Sequence, residues 1–356
     1  MNFRKCTVFQ TIALVLIFSF MFLNVQRYIT ELLSKKEIQK VYTKNAKRNT
    51  TNDLGVNEIL EFYTRDSSIT EIESRVQKER NEIEKQLSGM VKKRMADIIL
   101  VGMFKAGTTT MSLWLTTHPQ IIQLRIAGYY GPNKNYALGH VAHVAQIPNV
   151  SKDKIIYERC TVCFTSQAAR ERILAAYPQR DVKLLIMVRD PIERLISGYV
   201  QNVYQNYKVE IKESFEEYIF YPNGTIRTDT EYFQKSFYVR HLAKWLLLFP
   251  RGNIHLVDAD TFTKKPWVEL EKIEQLLKIN HLFSEDRFPA NPENPLFRCL
   301  AKEYTKGMYC MGHAKGRTHP DVSTETMQKL KRYFKPYNEQ FFTLAGQRFS
   351  WSSNYN

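Results

Sequence analysis

Residues 97–115, DIILVGMFKAGTTTMSLWL, read as a buried strand, a glycine-bearing turn and the opening of a helix. Ile98, Ile99, Leu100 and Val101 form an apolar run flanked by charge, the pattern of a strand covered on both faces. Gly102 and Gly107 bracket the turn, where small residues let backbone N–H groups close on an anion. Thr108, Thr109 and Thr110 then open a helix whose positive N-terminal end favours the same anion. The turn departs from the GxxxxGK[ST] phosphate loop at one residue: Thr108 stands in the lysine place, and the only lysine, Lys105, lies inside the loop. That disfavours a nucleotide kinase. A lysine within the loop can instead face a group in transfer, without Mg²⁺.

The 356-residue chain, 44% hydrophobic and 13% aromatic, is long enough for one large α/β domain plus extensions and is not a disordered protein. Its formal net charge of +15 points to a polyanionic partner: nucleic acid, acidic lipid or a sulfated or carboxylated polysaccharide. The N-terminus narrows the choice. Residues 7–25 are an almost unbroken apolar run preceded by Arg4 and Lys5, with no small-x-small cleavage site after it. An uncleaved signal anchor of type II orientation is expected, with a removed signal peptide as the alternative. Sequons at Asn49, Asn149 and Asn223 are compatible with a lumenal body, where nucleic acid is not normally met. Cys299 and Cys310 are close enough to bridge in an oxidising lumen. Cys160 and Cys163 form a C-x-x-C that reads as two buried or mutually bonded cysteines, since a second ligand pair for zinc is missing nearby.

The expected organisation is a cytoplasmic tail (1–6), a transmembrane anchor (7–25), a partly helical stem (26–95) and a lumenal domain (96–356). In the stem, Ile69, Ile72, Val76, Ile83, Leu87 and Met90 recur at helical spacing. Such a helix can pair with a second copy as a coiled coil, giving a homodimer, or lie alone against the domain. From Ala96 onward strands and helices alternate, the signature of a parallel sheet flanked by helices. Residues 121–124, 154–157, 182–188 and 253–257 are the further strands, and 232–249 and 267–277 read as helices. Arg189 directly follows the 182–188 strand, with Asp190 as cap and Pro191 in the first turn of a helix that carries Ser197. In an open α/β sheet that edge is where ligands bind.

These elements resemble the sulfotransferases that use 3′-phosphoadenosine 5′-phosphosulfate (PAPS): G-x-x-K-x-G-T after a strand, then an arginine at a strand end with a serine in the next helix. The last third is similar to the heparan sulfate glucosamine 3-O-sulfotransferases, in Phe297-Arg298-Cys299-Leu300, Tyr309-Cys310 and Lys315-Gly316-Arg317-Thr318-His319-Pro320. The resemblance implies a P-loop-like sulfotransferase fold in a Golgi membrane protein, PAPS as co-substrate, no metal, and heparan sulfate or a related glycosaminoglycan as partner. By the same resemblance Lys105, Ala106, Gly107, Thr108 and Thr109 cradle the 5′-phosphosulfate. Arg189 and Ser197 hold the 3′-phosphate, residues 315–319 close over the nucleotide, and Cys299 and Cys310 are bridged.

The pattern breaks where the family carries its presumed catalytic glutamate. Ala127 takes the glutamate place, Tyr129 the histidine place and Pro132 the aspartate place, and no Asp or Glu occurs from Ile98 through Lys152. Three replacements for the base are open: His140 or His143, Glu158, or a carboxylate from a later loop. Arg125, Lys134, Arg159 and Arg240 are the expected acceptor contacts. The expected function is sulfo transfer from PAPS to a glycosaminoglycan hydroxyl, the glucosamine 3-hydroxyl of heparan sulfate first. The alternative is a catalytically impaired protein that binds PAPS and heparan sulfate.

Overall fold

The computed structural model describes residues 53–91, 93–131, 134–205, 213–301, 307–311 and 319–355. The apolar run at 7–25, Asn49, Pro132, Lys315, Gly316, Arg317 and Thr318 lie outside them. No helix among the described residues is long and apolar enough to cross a membrane. The chain divides into residues 1–57, whose described part is the first turn of one helix, and residues 58–356, which carry the sheet.

Five parallel strands form that sheet in the order β2-β3-β1-β4-β5: β1 Ile98–Gly102, β2 Ile121–Gln123, β3 Ile155–Arg159, β4 Lys183–Val188 and β5 Ile254–Asp258. All of β1 is buried, as is β4 beyond Lys183, which is why these two read as unbroken apolar runs. The chain leaving β1 turns toward β2 and β3, whereas the chain leaving β4 turns toward β5. The crevice outside the carboxyl ends of β1 and β4 is therefore the topological switch point, the place where open α/β sheets bind ligands.

The helices are α1 Asp53–Thr64, α2 Ile69–Gln86, α3 Thr108–Leu115, α4 Gly139–Ala145, α5 Gln167–Ala176, α6 Pro191–Gln205, α7 Phe215–Ile219, α8 Glu231–Lys235, α9 Tyr238–Leu246, α10 Ala259–Lys264, α11 Pro266–Leu277 and α12 Thr324–Ala345. Ser68 caps α2 by accepting from the Glu71 N–H. Its apolar stripe is used within the chain: Ile72 and Val76 are buried, and Arg75 makes a forked contact of 2.8–3.1 Å with Glu171 on α5. The helix lies against the domain, and Leu87 and Met90 fall beyond its end.

The single helix expected over 232–249 is broken into α8 and α9. Buried Arg194 of α6 takes the Tyr232 carbonyl and the Ser236 hydroxyl, diverting the acceptor that a continuous helix would give to the Ser236 N–H. Gly198 of the same helix lets Tyr232 approach, since a Cβ there would lie 2.8 Å from the tyrosine ring. A short hairpin, β6 Leu300–Ala301 with β7 Met308–Tyr309, is closed by the Cys299–Cys310 disulfide, and Cys160 and Cys163 are bonded to each other behind β3. Phe341, Phe349 and Trp351 stack beneath the C-terminus.

Candidate active site

The loop after β1 is shaped by close packing. Register slips between Leu100 and Gly102 where β1 meets β4, and Met103 N then donates to Met187 O at 3.0 Å. A Cβ at Gly102 would stand 2.8 Å from Phe164 Cβ, so only glycine fits. Lys105 and Gly107 both have positive φ, +74° and +88°, which turns the chain sharply into α3. Gly107 caps α3 without a side-chain hydrogen bond, leaving the helix's first N–H groups to the solvent side or an anion. Lys105 Nζ donates to Gln201 Oε1 of α6 at 3.0 Å.

Arg189 leaves β4 next to this loop and is held by its neighbour. Asp190 accepts from the Ile192 N–H, the Tyr355 hydroxyl at 2.7 Å and the Asn354 amide at 2.9 Å, which pins the start of α6. The Arg189 guanidinium lies 3.6 Å from the Glu193 carboxylate, and His319 Nδ1 lies 3.3 Å from the same carboxylate oxygen. The hydrogen bond from His319, then the charge of Arg189, holds the Glu193 carboxyl below the usual glutamate range. Glu193, Ser197 and Gln201 recur every four residues and share one face of α6. Arg189 and His319 stand at one end of that face and Lys105 at the other.

A third set of groups forms a closed network beside β3. Along β3, Arg159 reaches α3 through its Nη2 bond to Thr109 Oγ1, 3.0 Å, while Ile156 packs with Val144 of α4. Strand alternation therefore directs Glu158 to the α4 side, away from α3. There Glu158 Oε2 is 3.1 Å from His143 Nε2, both side chains sealed at 0% and 1% exposure. Burial pushes the Glu158 carboxyl up, opposed by the His143 contact. Tyr129 stacks on His143 at 3.8 Å and pairs through its hydroxyl with His140 Nδ1 at 2.9 Å. His140 Nε2 faces Glu79 Oε1 of α2 at 3.6 Å, and Tyr136 bonds the same carboxylate. Burial lowers the His140 pKa, and the Glu79 charge opposes it.

The sulfotransferase domain family matches residues 95–348. The chain belongs to this family, on its heparan sulfate glucosamine 3-O branch. It is 30% identical over 257 residues to heparan sulfate glucosamine 3-O-sulfotransferase 5 of Mus musculus, covering 71% of this chain and 73% of the relative. It is 29% identical over 267 residues to the 3B1 protein of the same organism, covering 74% and 67%, and 28% identical over 262 residues to 3A1, covering 73% and 65%. The chain thus spans about two thirds of the length of those last two relatives. A sulfotransferase from Alicyclobacillus acidocaldarius superposes with a TM-score of 0.53 at 16% identity, over 73% of this chain and all of that one, and so shares the fold.

In this sulfotransferase the structure brings Lys105, Ala106, Gly107, Thr108 and Thr109 together with Arg189, Ser197 and His319 around one helix face at the switch point. Thr110 Oγ1 contacts Met311 Sδ at 3.1 Å, so the segment behind the Cys299–Cys310 bridge touches α3. Arg159 stands beside the loop, its Nε buried with no hydrogen-bond partner among the described residues. Arg125 and Lys134 are exposed. Arg240 of α9 is bonded to Gln234 of α8. Asn149 and Asn223 are exposed, as glycan attachment requires. Of the expected bases, His140, His143 and Glu158 are all buried; His143 pairs with Glu158, and His140 bonds Tyr129. Sequence reasoning missed Glu193 and Gln201, although their four-residue spacing around Ser197 was visible. It also missed Glu79, which a helix far upstream carries into the network.

Proposed function

We propose that this protein transfers the sulfo group of PAPS to a glycosaminoglycan hydroxyl, the glucosamine 3-hydroxyl of heparan sulfate. The observation that carries the reading is the α6 face at the switch point, with Lys105 at Gln201 and Arg189 with His319 at Glu193. By helical rise these ends are about 12 Å apart, the room of one nucleotide. The residues present fit such a ligand. The uncapped α3 N-terminus and Lys105 suit the 5′ anion, Arg189 and His319 suit the 3′-phosphate, and the unpartnered Arg159 Nε offers a further donor to an anion at the loop.

When bound, PAPS supplies an activated sulfonate with adenosine 3′,5′-bisphosphate as leaving group. The acceptor oxygen attacks sulfur in line, the bond from sulfur to the bridging phosphate oxygen breaks, and the acceptor proton passes to a base. Lys105 offsets the charge that develops on the sulfonate and bridging oxygens. For the base we assign the Glu79–His140 pair in preference to Glu158–His143. Glu79 retains 26% side-chain exposure, whereas Glu158 has none. Burial lowers the His140 pKa and so favours the neutral imidazole, while the Glu79 carboxylate opposes that and stabilises a proton arriving on the ring. Residues 7–25 would anchor the protein in the Golgi membrane with residues 96–356 in the lumen, where both disulfides persist.

A second reading, a slowed or silent protein that binds PAPS and heparan sulfate, draws on the same network: Ala127 replaces the glutamate, and the nearby histidines already satisfy one another's neighbours. Incubating the purified protein with sulfur-labelled PAPS and heparan sulfate separates the two. Label entering the polysaccharide, and lost in Lys105→Ala, supports transfer; nucleotide binding with no label in the polysaccharide supports the silent reading.

A further inference from the structure

A cavity of ≈ 730 Å³, with no residue of the Lys105 loop in its lining, lies between the α1–α2 connection on one side and α5 and α9 on the other. Its wall carries the cations Arg65, Arg75, Arg170, Arg240 and Lys244 against the anions Asp66, Glu71 and Glu171. The two carboxylates Glu71 and Glu171 are both turned to Arg75. Arg170 is only 5% exposed, and among the described residues its guanidinium makes one hydrogen bond, a long one of 3.4 Å, to the Phe164 carbonyl. Arg240 bonds a neutral amide, Gln234 Oε1. Among the described residues, no carboxylate forms an ion pair with Arg170, Arg240 or Lys244. Desolvation, then the charges of Arg170 and Arg240, depresses the Lys244 pKa, and the charge of Asp66 opposes this.

We propose that this cavity is a second anion subsite that holds a sulfated saccharide unit of the acceptor chain at a distance from the reacting sugar. The inference rests on the acceptor being a glycosaminoglycan. An isolated inorganic ion needs far less room, whereas ≈ 730 Å³ falls in the range of organic-ligand pockets. Tyr63 and Phe62 add flat apolar surface beside the cations, which suits a sugar ring bearing sulfate better than a bare ion. The location also fits. Helix α5 begins just after the carboxyl end of β3, so Gln167 and Arg170 in its first turn stand at the sheet edge from which the Lys105 loop projects. One extended polyanion can therefore run from the loop to the cavity. It also gives a place to Arg240, expected among the acceptor contacts, which lines this cavity whereas Arg125 and Arg159 do not.

The test is equilibrium binding of a fluorescent heparin octasaccharide to the full chain, beside titration with adenosine 3′,5′-bisphosphate and with inorganic sulfate. Lys244→Gln and Arg240→Gln are each expected to weaken the octasaccharide at least about fivefold while the nucleotide affinity stays within twofold. Lys264→Glu/Lys265→Glu, a charge reversal at the exposed end of α10, is expected to change octasaccharide binding less than twofold. Equal weakening by that control means diffuse surface attraction and overturns the proposal. So does unchanged octasaccharide binding in both single variants, or competition by inorganic sulfate at concentrations that leave ionic strength unaltered. Because nucleotide binding is read separately, the subsite can fail while the transfer reading stands.

Discussion

Lys105 Nζ and Gln201 Oε1 meet at 3.0 Å, joining the loop after β1 to the helix after β4. The contact places the one cation of the loop over the α6 face that carries Ser197, where a transferred sulfonate would sit. Removing a group that stabilises charge only in the transition state costs about 10²–10³ in rate. Lys105→Ala is expected to lower kcat for sulfo transfer by that amount, with a smaller change in the affinity for adenosine 3′,5′-bisphosphate. Single-turnover measurements with labelled PAPS check it, and a variant that loses affinity but keeps its rate constant contradicts it.

Under the proposed function Arg189 holds the 3′-phosphate. Charge-assisted hydrogen bonds contribute about 1.5–3 kcal/mol, so Arg189→Ala is expected to weaken adenosine 3′,5′-bisphosphate roughly tenfold to a hundredfold. Adenosine 5′-monophosphate lacks that phosphate, and its weaker binding is expected to change less than threefold. Calorimetric titration of both nucleotides against both proteins reads the difference. Equal losses for the two would move Arg189 away from the 3′ position.

Glu79 and Glu158 separate catalysis from structure. Glu79→Gln removes the carboxylate that faces His140 in the proposed base pair, and a general base contributes about 10²–10⁴ in rate. A fall of at least about 10² in kcat with an unchanged nucleotide affinity is expected. Glu158→Gln disturbs a sealed pair on the other side of β3, so its effect falls on the melting temperature, with kcat altered less than tenfold. The reverse pattern would return the base to the Glu158–His143 pair.

Two histidines set a pH dependence of stability. Burial, then the charge of Arg170, pulls His241 down to about 3, and burial, then Lys272, pulls His255 down to about 4. Both folded values lie below the unfolded value near 6.5. Between pH 6.5 and about 4 the unfolded chain therefore binds protons that the folded chain does not, and stability falls as pH falls through that window. Lowering the pH from 7 to 5 is expected to cost about 2 kcal/mol through His241 alone. Thermal melts of the wild type and of His241→Gln across that range measure it; a variant whose melting temperature drops as steeply as the wild type's contradicts the assignment.

The Cys299–Cys310 bridge holds Met311 where Asn291 Nδ2 meets its carbonyl at 3.2 Å and its sulfur meets Thr110 at 3.1 Å. Removing the bridge frees that contact with α3, whose first turn is proposed to meet the nucleotide. Cys299→Ser/Cys310→Ser is expected to weaken adenosine 3′,5′-bisphosphate at least threefold and to lower the melting temperature. Unchanged nucleotide binding in the folded double variant would detach the bridge from the site.

What could be read from the chain alone follows from the range of the interactions involved. β1 and β4 are buried on both faces, so their apolar runs announced themselves, and the Gly102–Gly107 turn carried its own backbone signature. The helix over 69–86 showed its stripe, although its partner, Glu171 on α5, lies nearly a hundred residues away and left no local mark. The break between α8 and α9 was invisible because Arg194, from another helix, causes it. Glu158 and Arg159 are adjacent in sequence but opposite in the sheet, and only the strand register separates the sealed residue from the one beside the loop. Glu79 could not be found by searching near Ala127, since tertiary packing alone brings α2 to His140.

The central claim, that the Lys105 loop and Arg189 form one sulfate-donor site, is tested most directly by titrating adenosine 3′,5′-bisphosphate into the wild type and into Lys105→Ala/Arg189→Ala. The account predicts a single saturable site in the wild type and at least a hundredfold weaker binding in the double variant, with both proteins folded. Binding of equal strength in the two, or none in a folded wild type, would contradict it.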